Sequence, residues 1–194
     1  MKKFVIWGFA ILLSLVFIFL PFPASDLIIR IYFDEIAGDS CVLYYTTKEN
    51  PSFCEEQSIS SDIDYAQKKV EFRLNGNLEG HLDNLRLDFP PHTEQLICVK
   101  NITLSSAGVI RREYTSCSFF AAENIASAQE TSVTLVHPRN RAYLSTGSDD
   151  PYILLAPGLT RQIADCYSHR TISRLALCLF FFGSCLLARK RLFI

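Results

Sequence analysis

The chain has one tryptophan, Trp7, and one methionine, Met1. It lacks a Cys-x-x-Cys, and His81, His92, His137 and His169 form no i, i+4 pair, so a zinc site is not expected. No fixed-period repeat or low-complexity block occurs, which excludes solenoids and tract-like linkers. No long amphipathic helical period is present either, which argues against a helical bundle. Nothing points to a cofactor or a resident metal.

Charge is absent from two stretches. Phe4–Pro23 carries none and follows Lys2 and Lys3, while Leu175–Ala188 carries none and precedes Arg189, Lys190 and Arg191. The first run is about 19 residues and reaches roughly 28 Å as a helix, close to the hydrocarbon thickness of a bilayer. Trp7 suits the interface at its start. A cleaved signal peptide is the competing reading, but a cut after Ala24 would put bulky Phe22 where small residues are wanted. The second run reaches about 17 residues if it starts at Ile172 with Arg174 snorkelling outward. A buried core helix is its alternative. Two spans with basic flanks predict a membrane protein with both termini cytoplasmic and the middle outside.

Residues 26–157 hold 19 acidic and 11 basic side chains, a net charge near −8 hidden in an overall −1. An acidic middle excludes nucleic acid as a partner, since phosphate binding needs a basic face. It also argues against a domain resting on anionic lipid. At this length the middle is one domain.

That middle alternates with period two. Ile29, Ile31 and Phe33 interleave with Arg30, Tyr32 and Asp34; Val70, Phe72 and Leu74 with Glu71 and Arg73; Leu85, Leu87 and Phe89 with Arg86 and Asp88; Val133 and Leu135 flank Thr134. This is the pattern of strands with one buried face. Further strands are expected at 41–47, 96–104, 109–114, 141–145 and 152–156, and short helical turns at 65–69 and 123–129. Asn75-Gly76 reads as a type I′ hairpin turn. Eight or nine short strands predict a mainly β protein, an antiparallel β-sandwich of jelly-roll-like form, between an N-terminal and a C-terminal transmembrane helix. The expected organisation is an anchor over 1–25, the sandwich over 26–157, a juxtamembrane linker over 158–171 and a second span with its basic tail over 172–194.

Cys178 and Cys185 fall in the second apolar run, as packing residues. Cys41, Cys54, Cys98, Cys117 and Cys166 fall outside it. An oxidising compartment permits disulfides, and Cys41–Cys54 and Cys98–Cys117 are the most local pairings. Other connectivities, or free buried thiols, remain open.

Candidate chemistry is sparse. Gly38-Asp39-Ser40 is similar to the nucleophile block of GDSL-type hydrolases, but Asp165-Cys166-Tyr167-Ser168-His169 has one residue too many for the distal Asp-x-x-His, and a turn between strands is the better reading. Asp149-Asp150 and the Asp62/Asp64 pair are better read as solvated turns than as calcium ligands. Tyr44, Tyr45, Tyr143 and Tyr152, with Phe119 and Phe120, supply flat apolar rings that can cover a sugar or fill a core. The four tyrosines are the candidate glycan contacts. Asn101-Ile102-Thr103 is a formal glycosylation sequon, set aside because the layout reads as bacterial.

Four blocks carry a resemblance: Lys69-Val70-Glu71-Phe72-Arg73-Leu74, Leu85-Arg86-Leu87-Asp88-Phe89-Pro90, Cys98-Val99-Lys100-Asn101-Ile102-Thr103-Leu104, and Leu144-Ser145-Thr146-Gly147-Ser148-Asp149-Asp150-Pro151-Tyr152-Ile153. Together they resemble the extracytoplasmic β-sandwich of bacterial membrane proteins of cell-surface polysaccharide synthesis, including some polytopic glycosyltransferases. The chain departs from that pattern at Phe89, which separates Asp88 from Pro90, and at the doubled acid Asp149-Asp150. It lacks the many spans and the nucleotide-sugar chemistry of a transferase. The resemblance thus implies a non-catalytic accessory module that binds a glycan or a membrane glycosyltransferase. The alternatives are a structural membrane-protein subunit whose sandwich is a spacer, with Gly183-Ser184-Cys185 allowing close helix contact, and a hydrolase.

Overall fold

The computed structural model describes residues 25–90, 95–147 and 149–167. Ser25–Tyr167 forms a compact unit. Both expected spans lie outside the described residues, apart from Ser25, and no helix among the described residues is long and apolar enough to cross a membrane.

The unit is mainly β. Its strands are β1 (Leu27–Glu35), β2 (Ser40–Thr47), β3 (Ser58–Asp62), β4 (Lys69–Leu74), β5 (Leu82–Asp88), β6 (Gln95–Ser106), β7 (Val109–Thr115), β8 (Ile125–Gln129), β9 (Thr131–Val136), β10 (Arg141–Thr146) and β11 (Tyr152–Leu155). One sheet runs β4-β1-β6-β10-β9, with β7 also beside β6; the other runs β3-β2-β5-β11-β8. The pairings are antiparallel.

Alternation explains the packing. Leu27, Ile29, Ile31 and Phe33 of β1 and Val70, Phe72 and Leu74 of β4 are buried from the first sheet, and Leu43, Leu85, Leu87, Ile153 and Leu155 from the second. They form one hydrophobic cluster between the sheets, the interior of a β-sandwich. Fully burying a side chain such as Phe72 is worth about 1.5–3 kcal/mol.

Strand β6 breaks the parity and repairs it. Ile97 and Val99 are in phase with each other, as are Ile102 and Leu104, yet all four are buried. An odd separation between the two pairs would turn one pair outward in a regular strand. A bulge at Lys100 resolves the conflict: Tyr32 pairs Asn101 while the next residue, Phe33, pairs Val99. Asp34 makes the opposite irregularity on β1, so Glu35 pairs Cys98. Along its other edge β6 pairs β10 over Gln95–Val99 and β7 over Asn101–Ser106.

Several local expectations are corrected. Asn75-Gly76 makes no hairpin, because β4 and β5 belong to different sheets. Instead the Asn75 side chain accepts from the Asn77 N–H and caps a 3₁₀ turn over Gly76–Leu78. The tight hairpin turn is Ala107-Gly108 between β6 and β7, with φ of +53° and +74°. Residues 65–68 form a turn closed by an Asp64–Lys69 bridge, not a helical one. Residues 122–124 are a 3₁₀ turn, but 125–129 are β8, which pairs with β11. The helices are α1 (Ser116–Phe119) and α2 (Pro157–Ala164), and α2 covers the first residues of the stretch expected as a linker. Leu159 and Ile163 of α2 are fully buried in the cluster. Their i, i+4 spacing gives α2 one apolar stripe, and Pro157 suits its first turn.

Candidate functional site

The outer face of the second sheet carries a compact polar–aromatic group. In β5, Leu85 and Leu87 point inward, so Arg86 and Asp88 share the outward face two residues apart. Tyr44 of β2 lies directly opposite Arg86, and Tyr152 of β11 directly opposite Asp88. Three adjacent strands thus bring four side chains together.

Arg86 is the centre. Its guanidinium carbon lies 5.0 Å from the centroid of the Tyr44 ring and 4.2 Å from that of Tyr152. Both fall within cation–π range. Nε donates to Asp88 Oδ1 at 2.7 Å and Nη2 to Asp88 Oδ2 at 2.5 Å, a two-pronged fork. Asp150 Oδ1 lies 3.5 Å from the same Nη2. The hydrogen bond to Asp88 raises the Arg86 pKa and keeps it charged. Burial pushes the Asp88 carboxyl up, against the pull of Arg86. The loop carrying Asp150 is tied down by Glu130, whose backbone carbonyl accepts from Gly147 N–H at 2.6 Å and whose Oε2 accepts from Asp149 N–H at 3.0 Å.

Chemically, the group offers two aromatic rings, a cation and two carboxylates on one face. Rings can cover a sugar's apolar side while the charged groups exchange hydrogen bonds with its hydroxyls. Among the described residues, no group of three His, Cys, Asp or Glu is placed to hold a metal.

Of the four expected tyrosines, two meet here and two do not. Tyr45 packs partly buried against the core, as its adjacency to outward Tyr44 requires. Tyr143 belongs to the other sheet, opposite Cys98 on β6. Phe119 and Phe120 are core residues in edge-to-face contact at 5.1 Å. Arg86 and Asp88 were not among the expected site residues. Their signal was present as Arg-x-Asp on a strand, which puts both on one face.

The five described cysteines stand as free thiols, so neither expected local pairing is closed. Cys41 is buried in the core and its pKa is pushed up to about 12 by burial, with the charge of Asp88 adding to the rise. Cys54 contacts Gln57 Oε1 at 3.5 Å, Cys98 contacts Asp34 Oδ2 at 3.8 Å, and Cys117 contacts the Arg141 carbonyl at 3.3 Å. Gly38 and Asp39 lie in the link from β1 to β2 and Ser40 opens β2, while His169 of the hydrolase comparison lies outside the described residues. Asn101 of the sequon is in β6 and donates to Glu113 Oε1 at 2.9 Å.

No family model matches the chain, and no curated protein or solved structure does either.

Proposed function

We propose that the protein is a membrane-anchored, extracytoplasmic β-sandwich of jelly-roll-like form that binds a glycan during cell-surface polysaccharide assembly, without catalysis of its own. The observation that carries this reading is the Tyr44–Arg86–Tyr152 row, with Asp88 and Asp150 at its edge. Aromatic rings beside fixed hydrogen-bonding groups are what a sugar site needs. Two uncharged apolar ends with basic flanks support the tether and the cytoplasmic placement of both termini. The blocks around Arg86 and Asp149 that resemble polysaccharide-synthesis proteins support the setting, with a membrane glycosyltransferase as the accompanying partner.

The test is binding of the full chain in nanodiscs to an array of bacterial surface oligosaccharides. Wild type is expected to retain a subset, and Tyr44→Ala or Tyr152→Ala to lose it. An array on which the full chain retains no glycan, together with no glycosyltransferase crosslinked to it in membranes, would remove the reading.

A further inference from the structure

The sandwich has one end at which several chain segments converge. Leu27, at the start of β1, pairs with both Leu74 and Ser106. Gly76 N–H donates to Asp26 Oδ1 at 3.1 Å, and Ser106 Oγ donates to the Ser25 carbonyl at 3.5 Å. The far end of the described chain returns to this place: Tyr167 O–H donates to the Asn75 carbonyl at 3.2 Å. Ser25 and Tyr167 therefore leave the domain from the same end.

The β6–β7 hairpin turns at that end. Ser106 pairs Val109 and Ser105 pairs Ile110, so these two apolar residues sit next to the exit of Ser25. Val109 is 53% exposed and Ile110 is 63% exposed, neither covered by the core. Arg111 and Arg112 follow directly. Arg112 Nη1 donates to Gln162 Oε1 of α2 at 2.8 Å, which braces the hairpin against the helix leading to Tyr167.

Chain length limits what can lie next to this tip. The first apolar run ends at Pro23, two residues before Ser25, and the second, counted from Ile172 with Arg174 snorkelling, begins five residues after Tyr167. At no more than about 3.6 Å per residue, those links reach roughly 7 Å and 18 Å. If both runs cross a bilayer, this end of the sandwich is held at its surface. An apolar pair followed by two arginines matches an interface of acyl chains and anionic phosphates. The surrounding domain is acidic, so such attraction is confined to the tip.

We propose that the hairpin tip, Ala107–Arg112, is a lipid-contact element that seats Val109 and Ile110 in the bilayer interface with Arg111 and Arg112 among the phosphates. The inference rests on the membrane anchoring stated above and adds an orientation for the domain.

Because Trp7 is the sole tryptophan, a single-tryptophan reporter is available. The full chain carrying Trp7→Phe and Ile110→Trp is reconstituted into phosphatidylethanolamine–phosphatidylglycerol vesicles with and without brominated acyl chains. A companion chain carries Trp7→Phe and Tyr65→Trp. Tyr65 is exposed at the opposite end, where its O–H donates to the Gly38 carbonyl at 2.5 Å. The expected result is blue-shifted, bromine-quenched emission at 110 and water-like, unquenched emission at 65. Co-flotation with vesicles but water-like emission at 110 overturns the tip proposal and leaves the anchoring intact. Blue-shifted emission without quenching overturns it in favour of protein cover, and failure to float overturns the anchoring and the tip together. Should Ile110→Trp melt differently from its companion by circular dichroism, Val109→Trp takes its place under the same criteria.

Discussion

Gly38 lies against Pro90 so closely that a Cβ on Gly38 would fall 2.3 Å from Pro90 Cβ, and its φ is +99°. Two independent penalties meet there: a left-handed backbone and a filled contact. Gly38→Ala is expected to cost about 2–5 kcal/mol. Gly80→Ala is the control, with φ +79° and nothing within 4 Å. It should cost only about 1–2 kcal/mol. Urea denaturation of the full chain in detergent compares them, and equal losses would refute the role of Pro90.

The Arg86–Asp88 fork is expected to behave as a unit. Arg86→Ala strands a largely buried carboxylate and should cost about 2–4 kcal/mol. Replacing both partners, as Arg86→Met with Asp88→Leu, should recover part of that loss. A double-mutant cycle measured by denaturation would show coupling; strict additivity would count against the pair.

Stability should fall in alkali. The Cys41 thiol loses its proton near 9.0 when unfolded and near 12 when folded. Between those values the folded state binds more protons, so stability is full below the unfolded value and declines as pH rises. The slope from this one group is at most about 1.4 kcal/mol per pH unit. Tyr167 shifts in the same direction through burial, acting above its ordinary 10.0. Cys41→Val should flatten the decline, as read from melting temperature against pH. In native labelling with iodoacetamide, half-buried Cys54 should react before Cys41.

The bulge in β6 makes one deletion tolerable and another not. Without Lys100, Val99 and Ile102 stand two apart and all four buried residues fall in phase in a regular strand. Without Thr103, Ile102 and Leu104 become neighbours and one turns outward. Deleting Lys100 should leave a folded chain with melting lowered by about 5–10 °C, whereas deleting Thr103 should abolish the cooperative transition. Equal damage from both would contradict the bulge's role.

The strand faces were readable because one buried side imposes period two, as in Val70-Glu71-Phe72-Arg73-Leu74. Which sheet each strand joins was not, since that depends on pairings distant in sequence. Asn75-Gly76 has hairpin chemistry but connects β4 to a strand of the opposite sheet. Helix α2 is faint in the sequence because its eight residues hold a single i, i+4 apolar pair, Leu159 and Ile163. Within the candidate site, the parity of Tyr44 and Tyr45 already forbade both from sharing a face. The approach of Tyr152 to Arg86 depended on β11 lying beside β5, which no local pattern encodes.

The shared exit of Ser25 and Tyr167 has a mechanical consequence. Tension applied between Ser25 and Tyr167 would load the sandwich at a single end, pulling β1 away from Leu74 and Ser106 beginning at Leu27. Strands loaded in this way peel one hydrogen bond at a time instead of shearing all at once. The domain would yield softly if those two points were drawn apart, and holding them side by side would spare it that load.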